Sequence, residues 1–436
     1  MAPLFSKKLQ EILYRIYDGL PSEAREVLRP VVRAFFLLKR VSIFASQIRL
    51  PVYLLQGKEK WGCGSLTTLF FGDERGLFYL SDLLYSGEPK KESLGKIFIW
   101  RIKSRLNLGL PRADLIFIKM DGFFSRFLSR QGFIIIPEWV LFMLDLSKPL
   151  PEVWKLSKND ALDSNLRKIR KHNYSYEMTR DPSKFDYFYH QMYLPYITKR
   201  YEKLAVLVGF RDMERTLEKG QLILIKKGND YVSGCVVKTD RDTVVNLYLG
   251  ITEGNVEYLK AGALAALYYF IIFWAKEKGY KWLDFGHCRP FFKDGGFNHK
   301  KQWGMGIRIS TRLRPVFGMK VCNFNHGARN LLEKNPFIFL DQRKLKGLIL
   351  ADQNGQLTLE QVQSLVRTYS MPGLDCLVIL ADQGFTQQAE EFANSCSTQR
   401  LQLISKKPDT FFEAFPYFLH RGKLTVDETS VIERDI

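Results

Sequence analysis

Three apolar runs follow one another at turn spacing: Gln221 to Lys227 (QLILIKK), Tyr231 to Lys238 (YVSGCVVK) and Thr243 to Leu249 (TVVNLYL). Each has the length of a strand, and Gly228-Asn229-Asp230 and Asp240-Arg241-Asp242 supply turn chemistry between them. A helix is predicted from about Glu257 to Lys278, closing on Lys276, Lys278 and Gly279 as a helix C-terminus does. Tyr280 to Leu283 is then a short apolar strand that runs into Asp284 and Gly286, where the backbone can turn without Cβ strain. The stretch from His287 to Gly304 holds two histidines, an arginine, three lysines, an aspartate and three glycines, edged by Phe291, Phe292, Phe297 and Trp303. That is too aromatic for a solvated loop and too charged for a core strand. Polar groups gathered at the carboxyl end of a strand point to a site, and the bland alternative is an irregular connection with Asp284 capping a turn.

Upstream, Val52 to Leu55, Leu66 to Phe71 and Gly76 to Leu80 are strand candidates. Lys96 to Leu106 is a basic helix or strand, Asp114 to Lys119 a strand, Gly122 to Arg130 a helix, and Phe133 to Leu146 extended again. A helix from Asp160 to His172 carries Arg167, Lys168, Arg170 and Lys171 within five residues. At helical spacing Arg167, Arg170 and Lys171 share a face, which is either solvated or turned to an anion. The helix Phe185 to Arg200 is aromatic and reads as core. Downstream, Met305 to Arg312 and Val316 to Val321 are strands, and a linker follows. Ile349 to Gln353 (ILADQ) recurs as Ile379 to Gln383, each copy followed by a helix, which describes a small parallel α/β unit.

At 436 residues the chain is long enough for two or three domains. Its formal charge of +19 is uneven: residues 1–345 hold 57 Lys+Arg against 34 Asp+Glu, and residues 346–436 hold 8 against 12. The basicity sits with the site-bearing part and points to a polyanionic partner: a phosphorylated donor, an anionic lipid surface or RNA. Six dispersed cysteines without a CxxC argue against zinc and against a disulfide scaffold, so a reducing compartment is expected and no metal is assigned. The N-terminus lacks a signal pattern and no window reaches the ~20 apolar residues of a span. The expectation is a cytoplasmic protein, with peripheral contact at the inner face of the membrane as an option through a basic helix ending near Ser46. Asp284-Phe285-Gly286 spells the kinase magnesium tripeptide, but none of its companion motifs is present.

Meander, helix, strand and charged loop form the layout of the GNAT acyltransferase fold. The wording resembles that superfamily's FemAB-like branch, in LRKIRKHNYSYE (Leu166 to Glu177), in AKEKGYKWLDFG and in FNHKKQWG, over about Ala113 to Arg312. The resemblance implies an α/β (α+β) architecture with tandem GNAT-like halves, residues 47–150 and 151–320. Basic amphipathic helices (1–46) would precede them, and a linker (321–345) and a C-terminal parallel α/β domain (346–436) would follow. It also implies transfer of an acyl or aminoacyl group to an amine of a cell-wall, sugar, amino-acid or lipid acceptor.

Amide formation needs a held donor, a proton acceptor and oxyanion stabilisation. Asp284 or His287 could accept the proton, and Lys300 could face the oxyanion. The branch's F-K-x-x-F-G pattern fits Lys300-Lys301-Gln302-Trp303-Gly304 with one residue displaced. The donor loop maps to Lys260, Ala261, Gly262 and Ala263, without the leading Gln or Arg of acyl-CoA users, which leaves both acyl-CoA and aminoacyl-tRNA open as donors. Arg167, Arg170, Lys171, Arg200, Tyr201, Arg289, Lys293, Lys301 and Trp303 are the candidates for substrate or phosphate contacts. No tightly bound cofactor is implied, and tRNA, not DNA, is the nucleic acid left open. A rival reading is a catalytically idle GNAT-like module that binds an anionic polymer or a membrane surface.

Overall fold

The computed structural model describes residues 48–412 apart from positions 63, 103, 106–110, 156–159, 203, 204, 206, 311–314, 352–354 and 397–399. The expected N-terminal basic helices lie outside the described residues. Contacts divide the chain into two compact units: residues 1–136 with 314–331 and 409–436, and residues 137–313 with 332–408.

The first strands in chain order are β1 (Arg49–Lys58), β2 (Ser65–Phe71), β3 (Lys90–Phe98), β4 (Leu115–Asp121), β5 (Ile134–Pro137), β6 (Val140–Asp145), β7 (Tyr174–Thr179), β8 (Gly220–Lys227) and β9 (Asp230–Asp240). They are followed by β10 (Thr243–Ile251), β11 (Trp282–Cys288), β12 (Gly306–Ile309), β13 (Pro315–Val321), β14 (Phe337–Asp341), β15 (Lys344–Ala351), β16 (Cys376–Ala381) and β17 (Arg400–Ser405). The helices up to the site are α1 (Glu74–Leu84), α2 (Ser125–Arg130), α3 (Leu150–Lys155), α4 (Asp160–Lys171), α5 (Pro182–Tyr187), α6 (Leu194–Tyr201) and α7 (Phe210–Glu218). Those around and after it are α8 (Val256–Lys260), α9 (Ala263–Glu277), α10 (Gly295–Lys301), α11 (His326–Lys334), α12 (Leu359–Tyr369) and α13 (Gln387–Ser395).

In the first unit the strand order is β5-β13-β4-β2-β1-β3. Gly76 to Leu80, expected as a strand, lies instead inside helix α1. The Asp73 carboxylate accepts from the Gly76 amide at 2.7 Å, and Leu77, Leu80, Leu83 and Leu84 bury one face at helical spacing. The basic segment from Lys96 finishes β3 and enters a 3₁₀ turn at Ile99–Arg101.

The second unit carries the seven-strand order β12-β6-β11-β10-β9-β8-β7. The meander of β8, β9 and β10 is antiparallel, as the turn residues require, and β11 joins β10 in parallel after α9 crosses over. The helix expected over Glu257 to Lys278 is split at Gly262, which takes φ +94 and ends α8 before α9 begins. The helix expected over Phe185 to Arg200 contains a π-helical segment, Phe188–Tyr193, between α5 and α6. Strand β6, placed by sequence with the first half, pairs with β11 and belongs to this unit. The stretch expected as a linker, 321–345, contains α11 and β14.

The repeat pairs with itself. Ile349, Leu350 and Ala351 on β15 lie beside Ile379, Leu380 and Ala381 on β16 in parallel register, and β17 extends the run, also parallel. Strand β14, paired antiparallel with β15, binds the loop after β11. Phe292 donates its amide to Pro336 O at 3.0 Å, Ile338 donates to Pro290 O at 2.8 Å, and the Phe292 ring packs edge-on to Tyr369 at 5.2 Å. On the other side Ile307 donates to Pro372 O at 2.9 Å. One buried cluster runs from Leu283, Phe292 and Trp303 through Ile338, Leu345, Tyr369 and Ile379.

A chain ending at Lys344 would keep the Pro336 and Pro290 bonds but strip Tyr369 from Phe292 and β15 from Ile338. Its soluble yield and near-ultraviolet circular dichroism should collapse relative to the full chain. A soluble, folded product of that truncation would show that the core of the second unit closes without β15 to β17.

Candidate active site

Strand β11 has a neighbour on each side. It pairs antiparallel with β6 through Trp282↔Asp145, Leu283↔Leu144 and Asp284↔Met143, and parallel with β10 only through Thr243↔Trp282, Val244↔Leu283 and Val245↔Asp284. Beyond that point β10 stays with β9 as far as Ile251, while β11 follows β6 through His287 and Cys288. Both strands are irregular where they part, β10 between Asn246 and Tyr248 and β11 between Asp284 and His287. Parallel strands that separate at their carboxyl ends open a gap lined by backbone groups that the ladder no longer uses.

Asp284 stands at the last shared register and is 8% exposed. Its Oδ1 accepts from the Gly286 amide at 2.7 Å, closing the turn in which Gly286 adopts φ +74. The capping role is therefore present, and it orients the carboxylate at the parting point. Alternation along β11 puts Leu283 and Phe285 in the α9-facing core and Asp284 on the opposite face of the sheet. The His287 ring, at a position paired with Leu141, reaches Ser310 with Nε2 2.9 Å from Oγ.

Lys300 approaches from the core side. It lies on α10, whose N-terminus is capped by Asp294 accepting from the Phe297 amide at 3.0 Å. The Lys300 side chain is buried, donates from Nζ to the His287 carbonyl at 3.2 Å and sits 5.6 Å from the Phe142 ring centroid. No carboxylate pairs with it among the described residues. The Asp284 and His287 side chains and the Lys300 ammonium thus reach the end of β11 from opposite faces. Lys301, one residue on, turns away and donates to the Thr368 carbonyl. Burial lowers its ammonium to about 8.

Arg200 on α6, 5.7 Å over the Tyr196 ring, acts on the same place: its charge and that of Lys300 both bear on His299 and Cys288. Burial, then these two cations, depress His299 to about 4, so its imidazole is neutral near pH 7. Burial raises the Cys288 thiol while Lys300 pulls against it, so the thiol is poorly disposed to act as a nucleophile. The rings of Phe285, His299 and Trp303 surround Tyr268 at 4.6, 4.9 and 6.2 Å. Trp303, expected at the substrate, is fully buried in that cluster, which removes it from direct contact.

The basic helix α4 turns Leu162 and Ile169 inward and leaves Arg167, Arg170 and Lys171 exposed. Its Lys168 lies against the start of α9: a Cβ at Gly262 would meet the Lys168 Cβ at 3.1 Å. The Ala261 carbonyl accepts from Tyr174 Oη at 3.3 Å and that of Ala263 from Ser233 Oγ at 2.9 Å. The Lys260 to Ala263 turn is therefore fixed, with Lys168 of α4 next to the N-terminus of α9. Lys260 itself is exposed and paired to Glu257 at 2.8 Å. Lys293 is exposed, 6.0 Å from the Tyr369 ring, and Arg289 is half-buried. The side chain of Tyr201 lies outside what the structure describes.

Two site residues escaped the sequence reading. Ser310 carries no local signal, since only the pairing of β12 with β6 brings it to His287. Asn246 is 7% exposed at the β10 irregularity, and its Oδ1 has no hydrogen-bond partner among the described residues. A polar residue inside an apolar strand was its only trace in the sequence.

No family model and no curated relative matches the chain. Solved structures that are similar to it include FemX, at 15% identity and a TM-score of 0.34, covering 61% of this chain and 83% of that one. The structure of L-PGS from Bacillus licheniformis matches at 10% identity and 0.32, covering 64% and 87%. A GCN5-related N-acetyltransferase from Sphaerobacter thermophilus matches at 12% identity and 0.29, covering 58% and 72%. The chain has a mixed α/β fold, with both parallel and antiparallel strand pairs.

His299 gives a pH signature. Its folded value lies below its ordinary 6.5, so the unfolded chain binds the extra proton first and stability falls as the pH drops from 6.5 toward 4. Between pH 7 and 4 wild-type protein should lose about 3 kcal/mol more than His299→Phe, as read by urea unfolding at each pH. Parallel losses in both proteins would mean that His299 is free to ionise in the fold.

Proposed function

We propose that the second unit is an acyl- or aminoacyl-transferase that forms an amide on an acceptor amine. The observation that carries this reading is the buried Lys300 ammonium, unpaired with any described carboxylate and bound to the β11 backbone three residues past its last pair with β10. A desolvated cation at the rim of a strand gap suits negative charge that develops in a reaction.

In the proposed step the acceptor nitrogen attacks the donor carbonyl, and the C–N bond forms as the carbonyl π electrons move to oxygen. Lys300 stabilises that oxyanion. The nitrogen gives up a proton through water in the strand gap to Asp284 or His287, which lie on the face opposite Lys300, and the intermediate collapses with loss of the donor's thiolate or ribose oxygen, which is protonated as it leaves. Acyl-CoA and aminoacyl-tRNA are the donor classes. Their shared phosphates would lie toward the Gly262 turn and the exposed Arg167, Arg170 and Lys171 of α4. The charge of Arg200 bears, with that of Lys300, on His299 and Cys288. Titration calorimetry with acetyl-CoA, charged tRNA and uncharged tRNA distinguishes the donors. A heat signal from none of the three would remove both.

Lys300→Met should lower turnover by ~10²-fold or more, the scale for one electrostatic stabiliser, and Lys301→Met by much less. Asp284→Asn keeps an oxygen to cap the Gly286 amide and removes the charge. A loss of kcat with an unchanged melting temperature would assign Asp284 the proton, and full activity would confine it to the turn. Full activity in Lys300→Met would overturn the reading of this site as catalytic.

A further inference from the structure

The first unit gathers exposed aromatic and cationic side chains along one rim of its strands. Register fixes that rim: Arg49 begins β1 opposite Phe98 at the end of β3, Phe71 ends β2 opposite Val52, and β4 runs parallel to β2 with Phe71 beside Ile118. The end of β3, the start of β1 and the ends of β2 and β4 therefore point the same way. Phe98 and Trp100 leave the rim at β3, 36% and 60% exposed. Phe123 and Phe127 leave it at β4, 77% and 37% exposed. In the order β3-β1-β2-β4 three strand spacings separate the two pairs, about 14 Å.

Between and beside them stand exposed cations: Arg49, Lys96, Arg101 and Arg126. Of the carboxylates at this rim, Asp73 is paired with Lys119 at 3.2 Å; Asp121, which accepts from the Phe123 amide at 2.9 Å, and Glu74 are outnumbered by the four cations. Arg49 lies 5.5 Å over the Phe98 ring, which also stacks on Trp100 at 4.9 Å. This leaves little Phe98 face for a nucleic-acid base to occupy.

We propose that this rim docks the first unit on an anionic phospholipid surface. The two aromatic pairs enter the headgroup region, and the four cations meet lipid phosphate. The surface is independent of the amide chemistry proposed for the second unit. Aromatic tips suit the interface between headgroup and acyl chain, while Arg and Lys beside them supply the electrostatic half of the attraction.

The test is co-sedimentation of the full chain with phosphatidylcholine vesicles containing about a third phosphatidylglycerol, and with phosphatidylcholine alone. Wild-type protein should pellet with the mixed vesicles and be released by salt. Trp100→Ala with Phe123→Ala, and separately Arg101→Glu with Arg126→Glu, should each lower the partition coefficient ~10-fold or more. All four side chains are exposed, so circular dichroism should match wild type and the loss can be read as binding. The proposal is overturned if both double variants bind like wild type, or if removing residues 1–46 abolishes binding that those variants retain. It is also overturned if wild-type protein ignores the vesicles while tRNA binds it and the aromatic variant loses that tRNA affinity.

Discussion

The pairing of β11 with β10 lasts for three residues, and the site follows from its ending there. A parallel neighbour requires a crossover, which α9 supplies, and the crossover delivers β11 into the sheet with its carboxyl end at the edge of the paired region. Asp284 and Gly286 then bend the strand, so that β11 keeps β6 and abandons β10. Without that divergence the polar loop that follows would have no gap to line.

The loop itself is short of internal support and takes it from the C-terminal strands. Backbone bonds from Phe292 to Pro336 and from Ile338 to Pro290 hold it like an extra strand pair, and Phe292 is clamped by Tyr369. Asp294 can then start α10 in a defined place, which fixes the direction from which Lys300 arrives. Lys301 completes the arrangement by bonding Thr368 on α12. Neighbouring lysines thus part company, one to the site and one to the scaffold, because successive helix positions point about a hundred degrees apart.

Much of this was legible along the chain. The meander, the crossover helix and β11 announced themselves through turn residues and apolar runs, and the ILADQ repeat foretold parallel strands that pair repeat to repeat. Helix α1 was not legible, because Gly76 to Leu80 is too short for its period to emerge and the Asp73 cap lies outside it. Gly262 likewise broke a helix whose apolar pattern continues across it. Ser310 and Asn246 carried no signal beyond their polarity, since each matters only through a neighbour distant in sequence.

The sequence by itself determined the β8 to β10 meander, the crossover and β11, the clustering of titratable and aromatic residues after Leu283, and that the basic charge belongs to residues 1–345. These are local or additive properties: periodicity, turn chemistry and charge are written residue by residue. Only the tertiary structure decided where β10 and β11 part, which lysine enters the site, that Trp303 belongs to the core, and that β14 to β17 share a core with β11. Those outcomes depend on which strand edges meet and which faces are covered. Such pairings join residues tens to hundreds of positions apart, and their energies appear only when the partners are together.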